Sequence, residues 1–435
     1  MSNQGFFRPR WALAGLVQVL PYLFIAAITI GGFEVGLRLF PALIPISALA
    51  DFPPPERRAI AARLNLPTTE IELAIIRDDG GPNLSVWQPG AEFQRRSDDV
   101  DLTYGAVENY KMDGAGFCNP TDPGARDAHD ANVKIVTIGD SFTWCTAVSP
   151  QDTWTAVLKE KTQSSGRNLG RSGIGPYEYT QIYRTFGSPL KPATVIMNIY
   201  EGNDLRDALV YYKTREPGRF PSALPKSRGL EFNAELPVRV GRRALREIRD
   251  GILGRSYAID LFVGLTLQIL PKNKLPENFT YRVQLGKDEV VFNRTNSDTD
   301  EIHHARLAAR VPTLFEAFRD AMVRFRTMAD ADNFRPILAY TPSAYTAYSS
   351  AVKFDDPALK GLLAGFSRTQ RDWFRDVCKD LDIDFVDLTP HMQITAQNRP
   401  LMYFPSNLHL TVEGHHAVAE ALAMAMAMAM QTTGE

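Results

Sequence analysis

The 435-residue chain has few cysteines, no metal-type spacing of its histidines and almost no excess of either charge. Its three cysteines and seven histidines do not fall into the ligand spacings of zinc sites. The two adjacent pairs, His303-His304 and His415-His416, would point in different directions on a helix, so neither a metal nor another cofactor is expected. With 48 Lys and Arg against 50 Asp and Glu, the net charge is −2. That balance gives no reason to expect nucleic acid, which usually needs a basic face. No repeat of longer period is evident, and the Ala-Met alternation at 421–430 is low in complexity but favours a helix. The remaining composition, 44% hydrophobic and 23% charged, is that of an ordinary globular protein. Its length suits one large domain with appendages. Function therefore has to come from a site.

Charge is also missing locally. Residues 11–33 are 23 positions without one, and about 20 apolar residues span the hydrocarbon core of a membrane. This segment is read as a single transmembrane helix. Arg8 and Arg10 precede it with no acid among the first ten residues, which places the N-terminus inside. Ala48-Leu49-Ala50 resembles a signal cleavage site but lies well past the apolar run, so an uncleaved anchor is preferred. The expected layout is a cytoplasmic tail and anchor at 1–40 and a linker with an accessory β/loop region at 41–120. The main domain follows at 121–430, with an insertion at about 205–305.

What is present starts with Val136-Thr-Ile-Gly139-Asp140-Ser141-Phe142-Thr143. The β-branched run 133–138 reads as a buried strand that stops at a Gly-Asp-Ser turn and hands over to a helical pattern. A serine there exposes its Oγ, and nearby backbone N–H groups can stabilise developing negative charge. Alone the tripeptide is weak, but companions follow in order. Asn168-Leu-Gly170-Arg-Ser-Gly173-Ile-Gly175 comes after a helical segment, Glu201-Gly202-Asn203-Asp204 directly after the strand-like 194–200, and Asn407-Leu-His409-Leu-Thr-Val-Glu-Gly414-His415 near the C-terminus. Strands at 133–138, 166–169, 194–200, 336–341 and 384–388 alternate with helices at 152–163, 177–187, 305–330, 367–380 and 413–430. Such alternation implies an α/β fold, a parallel sheet covered by helices on both faces. In such sheets ligands bind beyond the carboxyl ends of the strands, where these blocks fall.

Ser, Gly, Asn and His in this order resemble the SGNH (GDSL-type) hydrolase family over about 130–425. The resemblance implies a three-layer α/β/α fold around a central parallel sheet, flavodoxin-like, and a serine esterase. Ser141 would be the nucleophile and His409 the base. The backbone N–H groups of Ser141 and Gly173 and the side-chain amide of Asn203 would hold the oxyanion. Taken with the anchor read at 11–33, the resemblance points to a membrane-anchored bacterial protein of the inner membrane, its catalytic domain on the periplasmic side. The substrate implied is an acylated carbohydrate or other ester, with acetyl as the acyl group, and envelope polysaccharide machinery is an expected partner. An O-acyltransferase would use the same site, and a catalytically weakened glycan-binding or assembly protein is a further alternative.

One departure bears on that alternative. The family usually carries an Asp two or three residues before the catalytic His, where this chain has Asn407 and Ser406. An Asn carbonyl oxygen can still accept from a histidine Nδ1–H, but it lacks the full charge, and losing such an Asp in a serine protease costs about 10⁴ in rate. The orienter is therefore Asn407, a backbone carbonyl or a distant acid such as Asp387. His391 is the chief rival for the base, while His303-His304 reads as solvated surface and one of His415 and His416 as capping or packing. Cys118 and Cys145 flank the strand that delivers Ser141, so they are either disulfide-bonded or two free thiols; Cys378 reads as a buried thiol. In the insertion, 242–268 has amphipathic spacing that suits packing on the core better than resting on a membrane. Residues 281–292 read as a hairpin around Gly286-Lys287-Asp288, and the whole insertion is a candidate substrate wall.

Overall fold

The computed structural model describes residues 28–45, 84–87, 89–94, 99–107, 109–120, 133–215, 280–293, 300–308, 311–398 and 400–433, with short pieces between 22 and 76 and between 256 and 266. The chain forms two compact units, one of residues 1–70 and 227–274 and the other of 71–226 and 275–435. In the first unit, Leu37, Ile44, Ile60, Tyr257, Ala258 and Leu261 make a small core. The Glu34 carboxylate accepts from Ser256 Oγ and Ala258 N–H, both at 2.8 Å, and Arg38 lies 4.6 Å over the Tyr257 ring. Within this unit the described residues of 242–268 pack on the N-terminal segment, where Glu34 accepts from their donors; the rest of 242–268 lies outside the described residues. Among the described residues no helix is long and apolar enough to cross a membrane. Most of the expected span at 11–33 lies outside the described residues.

The second unit is built on five parallel strands: β1 (Ile135–Ile138), β2 (Gly166–Asn168), β3 (Thr194–Tyr200), β6 (Arg335–Thr341) and β8 (Asp384–Asp387). Between β3 and β6 comes the hairpin of β4 (Tyr281–Leu285) and β5 (Asp288–Phe292), and β7 (Val352–Phe354) adds to its β4 edge. The order across the main sheet is β8-β6-β3-β1-β2. All of β1 and all but the first residue of β3 are buried. Burial on both faces selects continuous apolar, β-branched runs over alternating ones, which is why these strands are legible in the sequence. The helices flanking the sheet pack in two groups. Trp154–Thr162 lies against Val412–Thr433, while Pro176–Ile182, Asp204–Arg215 and Thr313–Asp332 lie against one another. Because β1 has β2 on one side and β3 on the other, the chain reverses direction across the sheet at β1/β3, the place where such folds open a crevice.

Some boundaries differ from expectation for identifiable reasons. The helix expected over 305–330 is two helices, Asp300–Ala308 and Thr313–Asp332, because Pro312 disfavours helical backbone at the residue before it. The helix expected from 367 starts at Pro357, where the Asp356 side chain accepts from Ala358 N–H at 2.9 Å and proline suits the first turn. Asp204–Arg215 is a helix packed on the core, so the first residues assigned to the insertion belong to the main unit. The hairpin turns at Gly286, with φ at +69°.

Candidate active site

The nucleophile side is built from neighbouring strands. Ser141 sits half-buried on the turn that follows β1. Asp140 Oδ1 accepts from Phe142 N–H at 2.9 Å, and the Asp140 carbonyl accepts from Thr143 and Trp144 N–H. Two fully enclosed asparagines brace the turn. Asn198 Nδ2 donates to Thr143 Oγ1 at 3.2 Å from β3, and Asn168 Nδ2 donates to the Thr143 carbonyl at 2.8 Å from β2. Gly139 is required by close approach, since a Cβ there would strike the Thr143 side chain and lie 2.9 Å from the Asn198 carbonyl oxygen.

His409 meets this turn from the C-terminal loop, its Nε2 2.8 Å from Ser141 Oγ. Its Nδ1 lies 2.9 Å from the main-chain carbonyl oxygen of Asn407. A carbonyl can only accept, so Nδ1 carries the ring proton and Nε2 is left to accept from the serine hydroxyl. Asn407 therefore orients the ring through its backbone. Its side chain does something else: Oδ1 accepts from the His409 main-chain N–H at 2.9 Å, the local turn bond that Asn favours. Leu408 between them has φ at +61°, a left-handed conformation costing a bulky residue roughly 1–2 kcal/mol. The imidazole face is supported as well, by Phe142 at 4.8 Å between ring centroids, and Phe142 in turn stacks on Tyr200 at 3.5 Å.

The other candidates lie elsewhere. Asp387 is committed to Arg371 at 3.2 Å and to Thr389 N–H at 2.9 Å. His391 Nε2 is 3.9 Å from Glu420. His415 is buried, and its Nδ1 accepts from Trp154 N–H at 3.1 Å; burial lowers its pKa to about 3, so it stays neutral and caps the first turn of Trp154–Thr162. His304 corrects the expectation of a solvated pair. It is buried, with Nδ1 2.6 Å from the Gly202 carbonyl oxygen, because its helix docks on the loop that carries Asn203.

Of the three oxyanion candidates, Gly173 is exposed with φ at +78°, a conformation that glycine adopts without steric cost. Asn203 is half-buried after β3, and its Nδ2 donates to Asp207 Oδ2 at 2.9 Å and lies 3.5 Å from Asp140 Oδ2. Serving an oxyanion would mean exchanging the longer of these contacts. Burial raises the Asp140 carboxyl to about 7; the Phe142 N–H opposes that rise and Asp207 adds to it. Glu201, fully buried beside Gly202, is likewise raised to about 7 by burial, although the hydroxyls of Tyr340, Thr346 and Ser367 donate to it.

Two further groups shape the site without a motif of their own. Phe142 and Tyr200 lie next to motif residues, but nothing in the spacing announces a stack. Asp101 lies in the accessory region; it is fully buried and accepts from the N–H groups of Ser406 at 2.8 Å and Asn407 at 3.1 Å. No local pattern could have paired positions so far apart. Cys118 and Cys145 are disulfide-bonded, with Cα atoms 6.0 Å apart, tying the accessory region to the nucleophile turn. Cys378 is a free, buried thiol.

No protein-family model matches the chain, and no curated protein matches it. Several solved structures are similar. One is a protein assigned to the lipolytic G-D-S-L family from Desulfitobacterium hafniense, at 16% identity and TM-score 0.33, covering 67% of this chain and 99% of that one. Another is the acetyl xylan esterase AlAXEase, at 12% and 0.32, with 67% and 99% covered. A third is a variant acetyl-xylooligosaccharide esterase from Geobacillus, at 12% and 0.34, with 67% and 93% covered.

Proposed function

We propose that this chain is a serine esterase of the SGNH type that cleaves acyl esters through an acyl-Ser141 intermediate. The observation carrying the reading is the 2.8 Å approach of His409 Nε2 to Ser141 Oγ, with Nδ1 already anchored. As Oγ attacks the acyl carbon, Nε2 takes its proton, and the imidazolium then gives that proton to the departing alkoxide oxygen as the ester bond breaks. Water attacks the acyl-serine with Nε2 as base, releasing the acid and restoring the serine. The Gly173 and Ser141 N–H groups, with Asn203 once freed, would receive the oxyanion.

The resemblance of the four blocks to SGNH enzymes supports acetyl as the acyl group and an envelope glycan as its carrier. The uncharged segment at 11–33 supports a membrane anchor with the site on the extracytoplasmic side. A disulfide beside the nucleophile fits that oxidising side. If a sugar hydroxyl took the place of the attacking water, the same residues would run an O-acyl transfer. The test is turnover of p-nitrophenyl acetate by the full-length chain in detergent. Ser141→Ala should abolish it; undiminished turnover in that variant would remove Ser141 as nucleophile.

A further inference from the structure

We infer that Asp101 is a positioning residue of this site, taking from a distance the place of the acid missing before His409. The inference rests on the esterase reading above. Asp101 sits on the short helix Asp99–Thr103 and is fully buried. Its two carboxylate oxygens take two successive main-chain donors, Oδ1 the Ser406 N–H at 2.8 Å and Oδ2 the Asn407 N–H at 3.1 Å. Asn407 is the residue whose carbonyl oxygen receives His409 Nδ1–H at 2.9 Å. The carboxylate thus clamps the backbone from which the orienting carbonyl projects.

Two physical consequences follow. Acceptance from two main-chain N–H groups favours the charged form of the Asp101 carboxyl group, and hydrogen bonds to an ionised acceptor are about twice as strong as neutral ones, so the clamp resists rotation of the Asn407 backbone and movement of its carbonyl away from the ring. Charge is the second consequence. When His409 takes the Ser141 proton, positive charge develops on a ring whose Nδ1–H points at the carbonyl of Asn407, the residue whose own N–H is held by the buried Asp101 carboxyl group. In a buried setting such a charge acts through a lower effective dielectric than in water. Ser406, Asn407 and Asp101 together therefore do in three parts what a single neighbouring aspartate does in one. A merely structural clamp would hold the loop without any special effect on the chemical step, and experiment separates the two.

The test measures kcat, KM and Tm on full-length Asp101→Asn, with the ring tautomer of His409 read from the side-chain signals of ¹⁵N-histidine-labelled protein. Asp101→Asn should lower kcat about 10–100-fold, less than the ~10⁴ of a directly bonded aspartate. KM should stay within about threefold, since orienting a base matters mainly in the transition state, and the Nδ1–H tautomer should lose dominance. A kcat within about twofold of the parent, or a fall in Tm with kcat and tautomer unchanged, would overturn the inference. If Asp101→Asn fails to fold, Asp101→Glu keeps the charge but displaces it. An intermediate loss of kcat at constant KM then supports the role, and an unchanged kcat overturns it. Should the parent chain turn over no ester, the esterase reading has failed, while the tautomer response to Asp101→Asn still decides the positioning.

Discussion

Ser141 and His409 meet at 2.8 Å, yet the segments that bring them there are built on opposite plans. The nucleophile turn grows out of a fully buried strand and is braced by asparagines from the two strands on either side, Asn168 and Asn198. The base sits on a loop closed by the bridge between Tyr403 and Leu410, with Leu408 in a left-handed conformation and the acid that holds its backbone coming from Asp101. A turn at a strand terminus is held by its own Asp140 bonds and by neighbouring strands that the sheet already places beside it. A loop outside the sheet depends on long-range hydrogen bonds for the same precision, and those leave no motif behind.

The largest effect expected is on the pair itself. Ser141→Ala and His409→Ala should each cut kcat about 10⁴-fold or more on p-nitrophenyl acetate, and the double variant should be no worse, because residues acting as a unit are not additive. His391→Ala should leave the rate near that of the parent chain. A reversal of the two histidine results would break the contrast between the two segments at its root.

Next in size is the disulfide on the nucleophile side. Replacing Cys118 and Cys145 by Ser should lower stability by about 3–4 kcal/mol in the chain-entropy model, read as a fall in unfolding midpoint. The kcat should remain near the parent value, since Asn168 and Asn198 still brace the turn. A large loss of kcat at little cost in stability would show that the bond, not the sheet, sets the Ser141 geometry.

Stability against pH sharpens the picture of the Asn203 loop. Glu201 is raised from 4.5 to about 7 by burial, so the native state holds this proton more tightly than the unfolded chain does. Its contribution is fully present below the unfolded value and is lost as pH rises through about 7. Glu201 therefore pulls Tm down between pH 4.5 and 7, against the opposite pull of His415, whose depressed pKa adds stability as pH rises towards 6.5, and Glu201→Gln should make Tm fall less, or rise more, across that window. Asp140, also raised to about 7, and Asp204, raised well above its ordinary value by burial, would contribute with the same sign and remain in the variant. An identical slope in the variant would mean that Glu201 is not the source.

The smallest effect is assigned to the Asn407 side chain. It holds the His409 main-chain N–H and not the ring, so Asn407→Ala should lower kcat only several-fold with KM unchanged. A loss as large as that of His409→Ala would show that the side chain carries the orientation after all.

The same contrast governs what could be read in advance. The strands at 133–138 and 194–200, the Gly-Asp-Ser turn and the identity of His409 follow from local hydrophobic pattern and motif order. The Asn407 main-chain bond to Nδ1 was only one of several options, because backbone direction in a loop depends on the φ of Leu408, an unusual value for leucine. Asp101 was invisible since its partners, Ser406 and Asn407, lie at the other end of the chain. The burial of His304 was missed because the helix pattern around it is rich in charge, while its docking on Gly202 depends on tertiary placement.

The most direct test of an activated Ser141 is labelling with a fluorophosphonate probe followed by peptide mapping, since only a serine whose proton is taken by a base reacts at a useful rate. The adduct is expected on Ser141 in the parent chain, to be absent in His409→Ala, and to persist in His391→Ala. Labelling at another residue, or labelling of Ser141 undiminished without His409, would contradict the account.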